Sequence, residues 1–136
     1  MREEYPDFIY LTVEEVKEIH KTQLEIIGGL SGIRSLSGLK SAVEQPKATF
    51  AGQDLYPDIC EKAAVYAFHL AESQAFVDAN KRVAVITAVT FLKLNGHEIP
   101  ENSMELYKAM IKIANKEMDK DDLANLFRKL INKGKK

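Results

Sequence analysis

The chain lacks the features that would mark a disulfide-bonded or zinc-binding protein. Its 136 residues include 1 Cys, 4 Pro and no Trp. Cys60 has no second cysteine to pair with, and no Cys or His lies near it at metal-ligand spacing. A disulfide-stapled fold and a zinc module are therefore excluded, and a reducing compartment is expected.

Net charge and long apolar runs are also missing. The 19 Lys and Arg residues nearly balance the 20 Asp and Glu residues, leaving a net charge of -1, so no global field attracts nucleic acid or an anionic membrane. The longest run of apolar residues and threonines, Val83 to Leu92, is half the ~20 residues of a membrane span. The N-terminal segment is acidic and has no apolar signal region. We therefore expect a cytoplasmic protein that binds neither membrane nor nucleic acid directly.

What is present is the composition of a globular protein, with 46% hydrophobic and 29% charged residues. A chain of this length can bury a real core without a staple. The sequence contains no internal repeat, so residues 1–136 are predicted to form a single domain. The basic tail 133–136 is expected to be disordered.

Hydrophobic periodicity and capping signals predict an all-α fold with a small flap. The first helix begins at a capping box of Thr12 and Glu15 and runs to about Ile27. A minor helix from Leu36 to Gln45, closed by Pro46, and a loop or small hairpin between Pro46 and Pro57 are predicted next. Four more helices are predicted after them: one with Pro57 at its first position that ends near Ser73, one from Asn80 to Leu94, one capped near Asn102 or Ser103, and one from about Lys120.

The helix from Asn80 to Leu94 is apolar on nearly all sides. Its polar stripe consists of Thr87, Thr90 and Lys93. Such a helix fits the centre of a helical bundle, so we expect the fold to wrap around it.

The start of this helix carries the residues best suited to chemistry. Asp78, Asn80, Lys81 and Arg82 place a carboxylate, a carboxamide and two cations at a helix N-terminus, where free backbone N–H groups favour phosphate. Asp78 could hold a magnesium ion that bridges phosphates. In the simpler alternative, Asp78 or Asn80 only caps the helix, and Lys81 and Arg82 are solvated charges.

The segment FVDANKR, followed by an apolar helix and FLKLNG, resembles the death-on-curing (Doc) branch of the Fic family. The resemblance extends upstream through GQDLYPD, LKSAVEQP, GGLSGIR and LTVEEV, and covers most of the chain in order. It implies a helical Fic core and a nucleoside triphosphate such as ATP, held at the motif through Mg2+. It also implies a flap that aligns the target segment, and transfer of part of the nucleotide to a protein hydroxyl.

The resemblance also implies roles for individual residues. Asp78 matches the metal-binding acid, and Asn80 matches a polar contact near the phosphates. Lys81 and Arg82 match the phosphate-binding cations. Phe76 matches the buried anchor of the loop.

Two departures from the wider family pattern refine the predicted reaction. Adenylylating members carry glycine at the position of Lys81 and a second arginine at the position of Val85, whereas this chain has the death-on-curing pattern. That pattern favours phosphate transfer, since members of the branch resemble protein kinases that modify translation elongation factor Tu. The second departure is Gln74, which occupies the position of the catalytic histidine. An amide does not accept a proton near neutral pH, and loss of a general base costs ~10²- to 10⁴-fold in rate.

Three functions follow from these departures. The leading prediction is a toxin-type phosphotransferase that acts on the translation machinery and is weakened or retuned by Gln74. The alternatives are a binding module that recognises nucleotide or partner without catalysis, and a protein adenylyltransferase.

Two further residues have a functional and a structural interpretation. His20 lies on the apolar face of the first helix, either as a substitute base or as a hydrogen-bonded core residue. Arg34 could reach a phosphate or a partner carboxylate, or it could be a surface charge.

Regulation is expected to come from a second protein. Many Fic proteins carry an inhibitory helix in which Ser or Thr precedes Glu by four residues, and no Glu of this chain has that neighbour. The resemblance therefore implies a separate antitoxin with a disordered segment that folds as a helix beside the active site.

Overall fold

The protein is helical, as predicted, with one small hairpin. The computed structural model describes residues 8–100 and 103–134. Within these residues the elements are α1 (Val13–Ile27), α2 (Leu36–Glu44), a 3-10 turn (Gln45–Lys47), β1 (Thr49–Phe50), β2 (Gln53–Asp54), α3 (Ile59–Ser73), α4 (Asn80–Leu94), α5 (Met104–Ala114) and α6 (Lys120–Gly134). The two strands pair antiparallel, so the flap is a hairpin.

Helix starts follow the capping chemistry of the sequence. The Thr12 hydroxyl accepts a hydrogen bond from the Glu15 N–H at 3.1 Å, and the Glu15 carboxylate accepts one from the Thr12 N–H at 2.8 Å, which confirms the predicted capping box. The prediction that Pro57 occupies the first position of α3 is wrong. Asp58 is the N-cap, and its N–H donates to the Glu61 carboxylate at 3.2 Å, so the helix begins after Asp58 and Pro57 lies outside it.

The central helix is α3, whereas the sequence analysis expected α4 in that place. Helix α3 packs against α2, α4, α5, α6 and the 3-10 turn, and α4 packs against α3, α1 and α5. Every position of α3 from Lys62 to Ala67 is buried, which covers its whole circumference because a turn takes about 3.6 residues. Three of these six residues are alanines, and small side chains let neighbouring helices approach on several sides.

The segment before α1 is tied to the two most buried helices. The Leu11 N–H donates to the Tyr66 hydroxyl of α3 at 3.0 Å. At the end of α4, the Asn95 side chain accepts from the Ile9 N–H at 2.9 Å and donates to the Ile9 carbonyl at 3.0 Å. The Tyr10 ring stacks on Phe91 of α4 with centroids 5.8 Å apart.

The chain ends differ in part from expectation. Helix α6 continues through Gly134, so the tail predicted at 133–136 begins inside a helix, and Lys135 and Lys136 lie outside the described residues. Ser103 is the N-cap of α5, while the alternative cap Asn102 also lies outside the described residues. In the described part of the chain, no helix has the length and hydropathy needed to cross a membrane.

Candidate functional site

Two loops meet to build the candidate site. The motif loop (residues 74–79) connects α3 to α4, and the α1–α2 loop (residues 28–35) lies along it. Ile33 and Phe76 form an isolated antiparallel bridge. The backbone hydrogen bonds of this contact run from Arg34 N–H to Ala75 O at 2.7 Å, from Ser35 N–H to Ala75 O at 3.0 Å, and from Val77 N–H to Gly32 O at 3.0 Å.

The motif loop is held from inside by Asn80 and His20. The Asn80 carboxamide accepts from the Phe76 N–H at 3.0 Å and donates to the Phe76 carbonyl at 2.9 Å. The His20 ring stacks on the buried Phe76 ring with centroids 3.9 Å apart, and His20 Nε2 lies 3.1 Å from the Asp78 carbonyl oxygen. A carbonyl oxygen can only accept, so Nε2 carries the proton and cannot take one from a target hydroxyl. In this arrangement Asn80 and His20 both shape the loop.

The Asp78 carboxylate is fixed by backbone donors from both loops. Its Oδ2 accepts from the Leu30 N–H at 3.0 Å, and its Oδ1 accepts from the Ala79 N–H at 2.8 Å. These hydrogen bonds lower the pKa of Asp78 below its ordinary value, and the nearby Arg82 adds to the effect. Asp78 is therefore ionised at neutral pH.

The N-terminus of α4 has no side-chain cap. Its N-cap residue is Ala79, with no side-chain capping hydrogen bond to the first turn, so the alternative in which Asp78 or Asn80 caps this helix is not what the structure has. The first turn carries Lys81, which is exposed, and Arg82. Free backbone N–H groups and two cations leave this end of α4 open to an anion.

Arg82 joins the same cleft from the other side of Asp78. Its Nη2 donates to the Gly28 carbonyl at 3.0 Å, while its buried Nη1 has no hydrogen-bond partner within the described residues. A buried unpaired guanidinium N–H is costly and fits a site that is completed by a ligand oxygen. The cleft is lined by Gln74, Val77, Asp78, Ala79, Asn80, Lys81 and Arg82.

The cleft offers one carboxylate to a metal ion. Across residues 8–100 and 103–134, no group of three or more His, Cys, Asp or Glu side chains could hold a metal ion. Mg2+ commonly takes one or two carboxylates and completes its shell with water and substrate phosphates. The pre-oriented Asp78 beside the open N-terminus of α4 fits that donor set.

Gln74 lines the cleft from the C-terminal end of α3. It ends α3 in the left-handed conformation, with φ 50° and ψ 40°, and its Nε2 donates to the Ala71 carbonyl at 3.1 Å. None of the residues that line the cleft is a histidine. Asp78, the one carboxylate in the lining, accepts two backbone hydrogen bonds and has a lowered pKa, so the cleft can orient a hydroxyl through the Gln74 amide but offers only a weak base for its proton.

Arg34 is placed by its backbone more than by its side chain. Its N–H donates to the Ala75 carbonyl, but its exposed side chain is not part of the cleft lining.

The contribution of Gly28 and Leu30 was not foreseen from the sequence, because both act through backbone atoms. The paired glycines of GGLSGIR were the available signal: a Cβ on Gly29 would lie 2.9 Å from the Asp78 carboxylate, so the loop needs a residue without a side chain there.

Comparison with known proteins identifies the family. The sequence profile of the Fic/DOC family matches residues 10–92. The chain belongs to the Fic/DOC family. It is 37% identical over 100 residues to Toxin Doc from Mycolicibacterium smegmatis, covering 71% of this chain and 76% of that protein. It is 28% identical over 121 residues to Protein kinase doc from Escherichia phage P1, covering 89% of this chain and 94% of that protein.

The Fic/DOC match contains both loops of the candidate site and the hairpin. Helices α5 and α6 lie beyond it. The part of the chain that carries the cleft is therefore also the part that identifies the family.

Proposed function

We propose that this Fic/DOC protein is a Doc-type toxin that transfers a phosphoryl group from a nucleoside triphosphate, with ATP the expected donor, to a hydroxyl of a translation factor of the elongation factor Tu type. Two relatives support this proposal: one is named a Doc toxin and the other a Doc protein kinase, and the second aligns with 89% of the chain.

The observation that carries the proposal is the pairing of the oriented Asp78 carboxylate with the uncapped N-terminus of α4. Lys81 and Arg82 would bind the phosphates together with the backbone N–H groups of the first turn. Asp78 would hold Mg2+, which supplies charge neutralisation between the phosphates when bound. Asn80 would affect phosphate binding only by shaping the motif loop, because its carboxamide is hydrogen-bonded to the Phe76 backbone.

The transfer step needs a route for one proton. The target oxygen forms a bond to the terminal phosphorus as the bond from that phosphorus to the bridging oxygen breaks, and a nucleoside diphosphate leaves. Gln74 would orient the attacking hydroxyl of the target. The proton of that hydroxyl would pass to an oxygen of the transferred phosphate. Phosphoryl transfer depends mainly on positioning and charge stabilisation, so the site can retain a reduced rate without a base.

A second candidate function is supported by Gln74 itself. A cleft that binds Mg2+ and nucleotide but has no histidine in its lining, and no base other than the hydrogen-bonded Asp78 carboxylate, is also what a non-catalytic binding module would contain. Binding of nucleotide is common to both candidates, so it does not separate them. Transfer of a labelled group from the nucleotide to a target protein separates them, because only an enzyme produces it.

The test uses purified elongation factor Tu and two forms of labelled ATP. Label from the γ position on the target supports phosphotransfer, label from the α position supports adenylylation, and binding without label supports the binding module. Asp78→Ala should abolish both Mg2+-dependent binding and transfer, with a modest fall in melting temperature because the Leu30 and Ala79 N–H groups lose their acceptor. Asp121→Ala, which removes an exposed carboxylate from the first turn of α6, is the matched control.

The toxin homology also supports a separate antitoxin as partner. We propose that its helical segment covers the apolar side chains at the end of α1 and in the α1–α2 loop, where Ile26, Ile27 and Leu30 are 69%, 63% and 66% exposed. The loop donates directly to Asp78, so a helix bound there would act on the cleft. Leu30→Glu should weaken co-purification with the product of a neighbouring small reading frame. Met104→Glu, equally exposed at 68% but on α5, should not.

A further inference from the structure

The hairpin has almost no packing of its own to hold it in place. All its side chains from Thr49 to Leu55 are exposed, with Phe50 77% exposed. Its strands are two residues long and are joined by Ala51 and Gly52, both at positive φ. An isolated hairpin of this size is marginal in water. Its orientation on the protein must therefore come from contacts at its base.

One fully buried lysine supplies such contacts. Lys62, in the central helix α3, is 0% exposed. Its Nζ donates to the Pro46 carbonyl at 3.1 Å and to the Asp54 carboxylate at 3.1 Å. The ammonium also lies over the rings of Phe8 and Tyr10, 5.2 Å and 5.5 Å from their centroids.

The two acceptors lie on either side of the hairpin turn in sequence, Pro46 in the 3-10 turn before β1 and Asp54 at the end of β2. A buried ammonium is stable only when its charge is paired and its protons are hydrogen-bonded. Swinging the hairpin away would take Asp54 from Lys62 and leave a charge in the core, so the buried lysine favours a single hairpin orientation.

We propose that Lys62 is the positioning residue of the hairpin. The consequence for catalysis rests on the phosphotransferase function proposed above and on the flap role that the family resemblance implies: if the hairpin presents the target segment, Lys62 fixes that presentation without touching substrate.

The first test measures the hairpin directly by hydrogen exchange in the full chain. The Leu55 N–H, which donates to the Ala48 carbonyl at 2.9 Å and closes the hairpin base, reports its opening. Lys62→Met removes the buried charge together with its hydrogen bonds to Pro46 and Asp54, and should accelerate Leu55 exchange by about ten-fold under native conditions. Asp54→Ala should accelerate it likewise, and Asp54→Glu should restore part of the protection.

Lys47→Met is the matched control. Lys47 also lies over the Tyr10 ring, at 5.6 Å, but pairs with Glu44 and not with the hairpin. Exchange of Leu55 that is equally fast in Lys47→Met, or unchanged in Lys62→Met, would overturn the proposal.

The second test separates positioning from general stability. In γ-label transfer to elongation factor Tu, Asp54→Ala should raise KM for the protein target by about ten-fold while kcat and ATP affinity stay near wild type. A changed exchange rate with an unchanged KM would overturn the role in target binding. Absence of transfer in the wild type would count against the phosphotransferase, while the exchange result would still decide the role of Lys62.

Discussion

At the scale of single residues, Gln74 combines a side chain at the position where the family resemblance predicts a histidine with a demanding backbone. Its φ of 50° lies in the left-handed region, which few residues other than Gly, Asn, Asp and His adopt readily. The histidine that the resemblance predicts would suit both requirements of this position, because it can accept a proton and is among the residues enriched at positive φ. Gln74 meets neither as well, so the present residue reduces basicity without any gain in backbone fit.

Restoring the histidine should therefore restore the base at no structural cost. We expect Gln74→His to raise phosphotransfer by about 10²-fold with unchanged nucleotide affinity. Gln74→Ala, which removes the amide without adding a base, is the control and should not exceed wild type. A histidine variant that binds nucleotide but transfers no faster would favour the binding module.

His20 is predicted to act through the loop and not as a proton acceptor. Removing it should lower transfer by the same factor in the wild type and in Gln74→His, because both need the Asp78 carbonyl held by Nε2. His20→Phe keeps a ring against Phe76 and removes the hydrogen bond, so it isolates a contribution of about 1 kcal/mol. A substitute base would behave differently: His20→Ala would silence the wild type and spare Gln74→His.

At the scale of elements, the α1–α2 loop and the motif loop act as one unit. The first holds the Asp78 carboxylate through Leu30 and the Arg82 guanidinium through Gly28. Placement of both side chains therefore depends on a loop that is distant in sequence. This also explains why the GGLSGIR run accompanies the motif in the chain.

Gly29 is the position at which this dependence is testable. A Cβ there would lie 2.9 Å from Asp78 Oδ2, closer than Cβ atoms normally approach, and 3.3 Å from Arg82 Nη2, which is a tight contact. We expect Gly29→Ala to weaken Mg2+-dependent nucleotide binding by about ten-fold or more through displacement of Asp78. Binding can be measured by titration calorimetry.

Gly96→Ala is the matched control, since Gly96 also has positive φ, at 91°, but no atom within 4 Å of the added Cβ. It lies beyond the opposite end of α4 from the cleft. Both variants carry backbone strain of about 1–3 kcal/mol, but only the first should change nucleotide affinity. Equal affinities in the two variants would mean that Asp78 tolerates the shift.

Element positions were predictable from the sequence where local chemistry decides them. The Thr12 capping box and the bounds of α4 are confirmed because caps and apolar periodicity act within a few residues. The phosphate and metal roles of Asp78, Lys81 and Arg82 stay predictions. The roles of Gly28 and Leu30 could not be foreseen, since they act through backbone atoms that every residue type shares.

At the scale of the whole molecule, the position of the central helix was the harder inference. An apolar helix such as α4 can be central or can pack on two sides, and composition does not distinguish these arrangements. The alanine-rich α3 is surrounded because its small side chains admit close neighbours. The hairpin carboxylate that pairs with the buried Lys62 of α3 is a tertiary contact, which local periodicity does not predict.

Since α6 packs on α3, the family-matched residues 10–92 are predicted not to be a folding unit by themselves. Phe127 of α6 is fully buried, and Phe127→Ala should lower the free energy of unfolding by about 3–5 kcal/mol, a large share of the ~5–15 kcal/mol of a typical domain. Asn132→Ala, an exposed position of the same helix, should change it by less than ~0.5 kcal/mol.

Urea unfolding measures both variants, and nucleotide titration well below the melting temperature serves as the second readout. The folded Phe127→Ala protein should bind nucleotide like wild type, because the cleft is built from the motif loop, the α1–α2 loop and the start of α4, and not from α6. A loss of affinity without a loss of stability would place α6 in the nucleotide site. If Phe127→Ala unfolds with the same free energy as Asn132→Ala, residues 10–92 would stabilise α3 without the packing of α6.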